Sequence, residues 1–208
     1  LLVKKALGLE GPGFALDSAC ASALYALKYA CDRLSEGSVD LMLAGAVNRA
    51  DDLFIHVGFC ALKALSPTGQ SRPFHRGADG LIPAEGAGVF ALKRVEDAIR
   101  DGDRIYGVIR GIGLSNDGRA KNLLAPSSQA QVQAIKNAYK TGNVDPQTVS
   151  YVECHATGTV LGDATELQSL ANVFSHPLLL GSIKSNMGHL ITAAGAAGLM
   201  KILLAMEH

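Results

Sequence analysis

The feature that most constrains this chain is the alternation of short apolar runs with segments of helical periodicity. Residues 41–47, 86–92, 149–154 and 178–183 are strand-length and nearly continuously apolar. A shorter apolar segment at 14–16 runs through Asp17-Ser18-Ala19 into Cys20, after which Leu24, Leu27, Cys31 and Leu34 recur at helical spacing. Strand, sharp turn and helix are expected there. A short helix over 95–100 ends at Asp101-Gly102-Asp103, and a long strand over 104–114 carries glycines that mark bends or bulges. Ser128 with Gln131 is a capping-box signature for a helix bearing Val132, Ile135 and Tyr139 and ended by Gly142. Leu167, Leu170, Ala171 and Phe174 share one face of a helix over 164–174, and 193–206 closes as another. The region between 47 and 86 reads as irregular, with a turn at Ser66-Pro67-Thr68-Gly69. Such alternation indicates an α/β protein whose central strands are buried on both faces.

At 208 residues and 48% hydrophobic content the chain can bury a substantial core. Nineteen basic residues balance nineteen acidic ones, so no net field favours nucleic acid or an anionic membrane. The most apolar stretch, 190–206, is broken by Thr192, two glycines and Lys201, and reads as a buried helix rather than a membrane span. Cysteines at 20, 31, 60 and 154 form no CxxC pair and no tight cysteine and histidine cluster of the structural-zinc kind. No metal is expected; reduced thiols and a cytoplasmic location are. The start shows no secretory pattern, and both ends fall inside helix-like sequence, as in a segment of a longer polypeptide.

Three small polar loops follow predicted strands and precede predicted helices: Asp17 to Ser22, His155-Ala156-Thr157-Gly158-Thr159, and Lys184-Ser185-Asn186-Met187-Gly188-His189. In open α/β sheets, sites gather beyond the carboxyl ends of strands, so one cysteine and two histidines are candidates for a single pocket. At a strand-to-helix turn, free N–H groups and the helix end favour the Cys20 thiolate, and the N–H of residue 20 is a candidate oxyanion donor. A lone buried cysteine with only a packing role is the alternative. For His155 and His189 the alternative is a core histidine satisfied by backbone. His56, His75, His176 and His208 are assigned to loops or surface.

Residues 17–24 resemble the nucleophile motif of β-ketoacyl synthases, VECHATGTVLGDATE at 152–166 their first histidine motif, and GSIKSNMGH at 181–189 their lysine and second histidine motif. The separations, 135 residues from Cys20 to His155 and 34 from His155 to His189, also suit that family. The likeness covers essentially the whole chain, including Leu41-Met42-Leu43-Ala44-Gly45, Leu65-Ser66-Pro67 and Glu85-Gly86-Ala87-Gly88. It implies a thiolase-like five-layered αβαβα fold, here incomplete. Residues 1–103 would be the latter part of the N-terminal half, and 104–208 most of the C-terminal half.

The resemblance implies that Cys20 accepts an acyl group from an acyl carrier protein. A malonyl-type extender then loses carbon dioxide with help from His155 and His189, and its carbanion attacks the Cys20 thioester. Lys184 would tune charge and hold the histidine loop. Thr157 and Thr159 match positions that bind the phosphopantetheine arm, with turn chemistry as their alternative. No directly bound cofactor is implied; a homodimer within a multidomain synthase is. Asp163 and Glu166 fit the family pattern but are read here as a helix N-terminal cap.

Some residues depart from the pattern. Gly198 stands where free-standing fatty-acid condensing enzymes often carry glutamate, which favours the style of modular polyketide and large fatty-acid synthases. His75 replaces a usual aspartate, and Pro83-Ala84 replace the usual pair before Glu85; both are read as tolerant surface loop, with altered loop geometry near the pocket as the alternative. Most of the first half and the glycine-rich segment that supplies a second oxyanion N–H are missing, so the isolated chain is expected to fold poorly and be inactive. A thiolase would need a second cysteine, a chalcone-synthase-like enzyme a histidine and asparagine, and a chain-length factor would lack Cys20. A decarboxylating homologue that does not elongate is a further alternative.

Overall fold

The computed structural model describes residues 2–50, 53–118 and 125–208. Two of the apolar runs pair with each other: β1 (Met42–Asn48) and β2 (Gly86–Leu92) form an antiparallel ribbon in register from Met42↔Leu92 to Asn48↔Gly86. At Gly45 a Cβ would collide with the backbone of Gly88, so only glycine allows this close pairing. Helix α2 (Ser22–Ser35) presents Ala23, Leu27 and Ala30 at i, i+4, i+7, and these pack with Ala44, Phe90 and Ala196 into one core. Ala196 belongs to α8 (Ala194–Glu207), which covers the same ribbon.

The second half is built on a parallel pair, β3 (Tyr151–Glu153) and β4 (Leu179–Gly181), prolonged by Cys154 N–H donating to Gly181 O at 2.7 Å. Helices α5 (Ser128–Gly142) and α6 (Val160–Ala171) flank it, and Cys154, Ala156, Leu170 and Phe174 form its core with Ile135 and Tyr139 packed on it. The remaining helices are short: α1 (Leu2–Ala6), α3 (Leu53–Ala61), α4 (Val95–Arg100) and α7 (Lys184–Met187). No helix among the described residues is long and apolar enough to cross a membrane.

Several local expectations need correction. Residues 14–16 are not a strand: Phe14 is largely exposed and meets Tyr29 edge-on at 4.7 Å. Residues 104–114 also show no strand pairing, although a Cβ at Gly111 or Gly113 would strike the α5 backbone. Apolar patterning reports a preference for burial, whereas a strand also needs a neighbouring backbone, which neither segment has among the described residues. For the same reason β1 and β2 are not covered on both faces, and Val47 and Val89 are exposed. Helix α3 falls in the stretch that reads as irregular, because LFIHVGFCA is apolar nearly all round and shows no stripe.

The helix ends are shifted as well. Ser127, not Ser128, caps α5 by accepting from Ala130 N–H at 3.2 Å, while the Ser169 hydroxyl lies 2.7 Å from Gln131 Oε1 and 2.9 Å from the Ser128 hydroxyl. Asn143, left-handed at φ 47°, closes that helix one residue past Gly142.

Candidate active site

Cys20 lies in a single 3-10 turn (Ala19–Ala21) that feeds α2. Ala19 is held at φ 48°, a conformation disfavoured for a residue with a Cβ, and three short polar contacts hold it there. Asp17 Oδ1 accepts from Ala19 N–H at 2.8 Å; the Ser22 hydroxyl donates to Ala19 O at 2.7 Å and accepts from Ser18 N–H at 2.9 Å. The turn brings the Cys20 Sγ to 3.1 Å from His189 Nε2, across 169 residues of sequence.

His189 is among the most buried large side chains, and backbone bonds position it. Its N–H donates to Ile82 O at 2.7 Å and its carbonyl accepts from Ala84 N–H at 2.9 Å, a bridge that pairs Pro83 with His189. Gly188, at φ 79°, could carry a Cβ only 2.8 Å from Ile82 O. Residues 82–84 are therefore a half-buried strap on the histidine loop, which corrects the reading of Pro83-Ala84 as tolerant surface. His75 is exposed, its Nδ1 accepting from Gly77 N–H at 3.0 Å. His176 lies in the loop before β4, half-buried and bonded to Val149 O, whereas His56 lies within α3, half-buried and bonded to Ala50 O, and so is neither loop nor simple surface.

His155 follows β3, and its ring stands edge-on to that of His189 with centroids 5.3 Å apart. Glu166 fixes this loop: Oε1 accepts from His155 N–H and Oε2 from Ala156 N–H, each at 2.7 Å. Asp163 accepts from Gly158 N–H at 3.1 Å and from Phe74 N–H at 2.7 Å. Because α6 begins at Val160, these carboxylates lie inside the helix and reach back to strap the loop; they do not form the expected cap. Glu166→Ala would leave two inward amides without acceptors, about 1–3 kcal/mol each. It is expected to lower turnover about 10- to 100-fold through displacement of His155, checked by steady-state kinetics of the full-length protein.

Lys184 is buried, its carbonyl accepting from the Ser71 hydroxyl at 2.5 Å. Desolvation pushes its ammonium pKa down, opposed by Glu166, Cys20 and Glu153. Crowding of the His155 ring, although part of its surface stays open at the rim, drives its pKa down to about 4, aided by the charge of Lys184. Burial, then His155 and Lys184, takes His189 down to about 3. Both imidazoles are neutral at pH 7.

Burial also raises the Cys20 thiol; Lys184 and its own N–H oppose this without cancelling it. The turn geometry alone suggests a thiolate, whereas desolvation keeps the resting group a thiol. Alkylation of Cys20 by iodoacetamide should thus inflect at a higher pH than for an ordinary cysteine. In Lys184→Met it should move higher still. A pH–rate profile followed by mass spectrometry checks both shifts.

Cys20, His155, Lys184, Glu153 and Cys154 line a cavity of about 280 Å³ whose other walls include Leu24, Ile112, Leu199 and Ile202. Thr157 and Thr159 do not line it; their hydroxyls lie 3.0 Å from each other. The donor atoms of Cys20, His155 and His189 all fall within 4.8 Å of one another, close enough to hold a soft cation. Against a resident metal stand the Lys184 charge in the same cavity and the buried His189 Nδ1, which has no partner to orient it among the described residues.

Two family models span this arrangement: Beta-ketoacyl synthase, N-terminal domain, matches residues 2–98, and Beta-ketoacyl synthase, C-terminal domain, matches residues 106–208. The chain belongs to the β-ketoacyl synthase family. This ketosynthase chain is 46% identical over 205 residues to a mycocerosic acid synthase-like polyketide synthase of Mycolicibacterium smegmatis, covering 98% of the chain and 10% of that relative. It is 42% identical over 208 residues to the 5-methyl-1-naphthoate synthase of Streptomyces sahachiroi, covering 97% of the chain and 12% of the relative. Among solved structures, the PfaC keto synthase-chain length factor superposes with a TM-score of 0.95 at 49% identity, over 98% of this chain and 22% of that one. The ketosynthase from module 6 of the bacillaene synthase of Bacillus subtilis 168 gives a TM-score of 0.95 at 40% identity, over 99% and 38%. The architecture is thus part of the thiolase-like α/β fold of these ketosynthases.

Sequence reasoning places the cysteine, the two histidines and the lysine around one centre but misses what holds them. The strap at 82–84 leaves no composition signal. Glu166 lies within the first histidine motif, less than two turns into α6, so its carboxylate can reach back to the loop that precedes the helix.

Proposed function

We propose that this ketosynthase chain carries the acyl-accepting and decarboxylating groups of a β-ketoacyl synthase in polyketide synthesis. The observation that supports this best is the 3.1 Å approach of the Cys20 Sγ to His189 Nε2, with the His155 ring beside them. In the first half-reaction, Cys20 attacks an acyl thioester on the phosphopantetheine arm of an acyl carrier protein. The Cys20 proton passes through neutral His189 to the departing pantetheine thiol, leaving acyl-S-Cys20.

In the second, a malonyl-type thioester on a carrier protein loses carbon dioxide. The bond between its carboxylate and the methylene carbon breaks, and that electron pair becomes an enolate whose oxygen accepts hydrogen bonds from imidazole N–H groups of His155 and His189. The enolate carbon bonds to the acyl carbonyl, the carbon–sulfur bond to Cys20 breaks, and the thiolate takes up one proton. The products are a β-ketoacyl thioester, carbon dioxide and free Cys20. Desolvation that keeps both rings neutral suits them as donors to a developing anion.

Lys184 would stabilise the negative charge of Cys20, and Thr157 and Thr159 would bond the phosphopantetheine arm at the entrance. The functional units would be 1–103, bearing the nucleophile, and 104–208, bearing the histidines. The setting proposed is a cytoplasmic, homodimeric, multidomain synthase; the chain spans about a tenth of its curated relatives. Retention of Cys20 together with both histidines disfavours a non-catalytic condensing-fold partner. Mass spectrometry of the full-length protein after incubation with acyl carrier protein thioester tests the assignment. An acyl adduct on Cys20 is expected, and one confined to another residue would overturn it.

A further inference from the structure

Glu153 ends β3, two residues before His155, and its side chain is only 6% exposed. A carboxylate so placed needs compensation, and it has three partners. Oε2 accepts from Lys201 Nζ at 2.7 Å and from the Tyr151 hydroxyl at 2.5 Å, and Oε1 accepts from Ile183 N–H. Lys201 also donates to the Tyr151 oxygen at 2.7 Å. Ile183 directly precedes Lys184, so the carboxylate grips the turn that delivers the lysine and, five residues on, His189. The space it fills is kept open by α8: a Cβ on Gly198 would lie 3.2 Å from Glu153 Cγ and 3.9 Å from Oε1.

We propose that Glu153 is a positioning residue of this site, its carboxylate fixing the Ile183-Lys184 turn and holding negative charge beside the Lys184 ammonium, and that Gly198 makes room for it. This rests on the condensing reading above. Glu153 lines the same cavity as Cys20, His155 and Lys184. A tether between α8 and β3 would need only the pair with Lys201; the further bond to the Ile183 amide aims the group at the lysine loop. Of the two carboxylates that favour the Lys184 ammonium, Glu166 is already committed to the His155 loop.

If the site requires a carboxylate at this place, and not Glu153 as such, a carboxylate supplied from α8 should replace it. The test is a variant series in the full-length protein: Glu153→Gln, Gly198→Glu, and a double variant of Glu153→Ala with Gly198→Glu, in which truncation at 153 frees the space the new carboxylate needs. It follows Cys20 loading by mass spectrometry and extender decarboxylation by carbon dioxide release. Glu153→Gln is expected to lower the decarboxylation kcat about 10- to 100-fold with loading preserved. Gly198→Glu alone should do at least as much harm, because two carboxylates then share one space. The double variant should return to within about threefold of the parent.

A double variant no more active than the single ones, or a Glu153→Gln protein that decarboxylates normally, would overturn the proposal while leaving the condensing reading intact. A parent protein that neither loads nor decarboxylates would sink the condensing reading, and this inference with it. Should Glu153→Gln not fold, Lys201→Met keeps the carboxylate and removes its counter-charge. Loss of the ammonium raises the Glu153 pKa, so the acid limb of the decarboxylation profile should move to higher pH than in the parent, and an unchanged profile counts against the role.

Discussion

Cys20→Ala, in the full-length protein, is expected to carry no acyl adduct and to lose elongation by about 10⁴-fold or more, since no other group offers a comparable nucleophile. The rival to consider is Cys154, which lines the same cavity. Its thiol is pushed up to about 12 by burial, then by Glu166 and Glu153, and its sulfur lies 3.6 Å from Val152 O. At neutral pH its thiolate is negligible. Cys20 is also raised, but it has a neutral imidazole within 3.1 Å to take its proton. Intact-mass and peptide-level analysis after incubation with acyl carrier protein thioester decides the matter, and persistent acylation of Cys154 in Cys20→Ala would defeat the assignment.

Alanine at either histidine should separate the half-reactions. His155→Ala and His189→Ala are each expected to reduce extender decarboxylation about 10²- to 10⁴-fold, the range for losing a donor to a developing oxyanion or a general acid–base group. Loading should suffer less, and unequally. His189 Nε2 lies 3.1 Å from the sulfur, whereas His155 stands behind it, edge-on to the His189 ring and with no bond to the sulfur, so His189→Ala should slow loading more. Because the two rings titrate near 4 and 3, decarboxylation by the parent protein should hold steady on acidification until the pH falls below about 5. Carbon dioxide release, single-turnover acylation and the pH profile measure these effects, and normal elongation in either variant would remove that histidine from the mechanism.

The parts of the site legible in the sequence are those carried by short local patterns. Asp17 to Ser22, His155 to Thr159 and Lys184 to His189 announce themselves as small polar loops after apolar runs, and the structure brings Cys20, His155, Lys184 and His189 together. The unread parts depend on contacts between distant residues. Ile82 and Ala84 hold His189 through main-chain atoms that every residue has, so their role leaves no trace in side-chain identity. Glu153 sits within a motif, but its task follows from Gly198 and Lys201, some 45 residues on. The charge state of Cys20 is misread from sequence because a local turn argues for thiolate, while the raised pKa comes from packing. At the level of elements, β1 and β2 match their apolar runs, and 104–114 does not because pairing cannot be inferred from one strand alone.

The main-chain bridges described above have one more consequence. Gly80 N–H donates to Gly158 O at 2.9 Å, and Ile82 and Ala84 clasp His189, so the segment preceding β2 is stitched to both histidine loops by main-chain bonds whose close approach needs glycine at 80, 158 and 188 but no particular side chain on the cavity wall. Shape at the centre is thereby uncoupled from the chemistry of the surrounding walls. Exchanges at Leu24 or Ile202 would therefore reshape the cavity wall without removing the bonds that fasten those loops, whereas Ile112 and Leu199 also pack on the core. If the proposed condensation holds, the cavity wall can change while the arrangement of Cys20, His155 and His189 is kept.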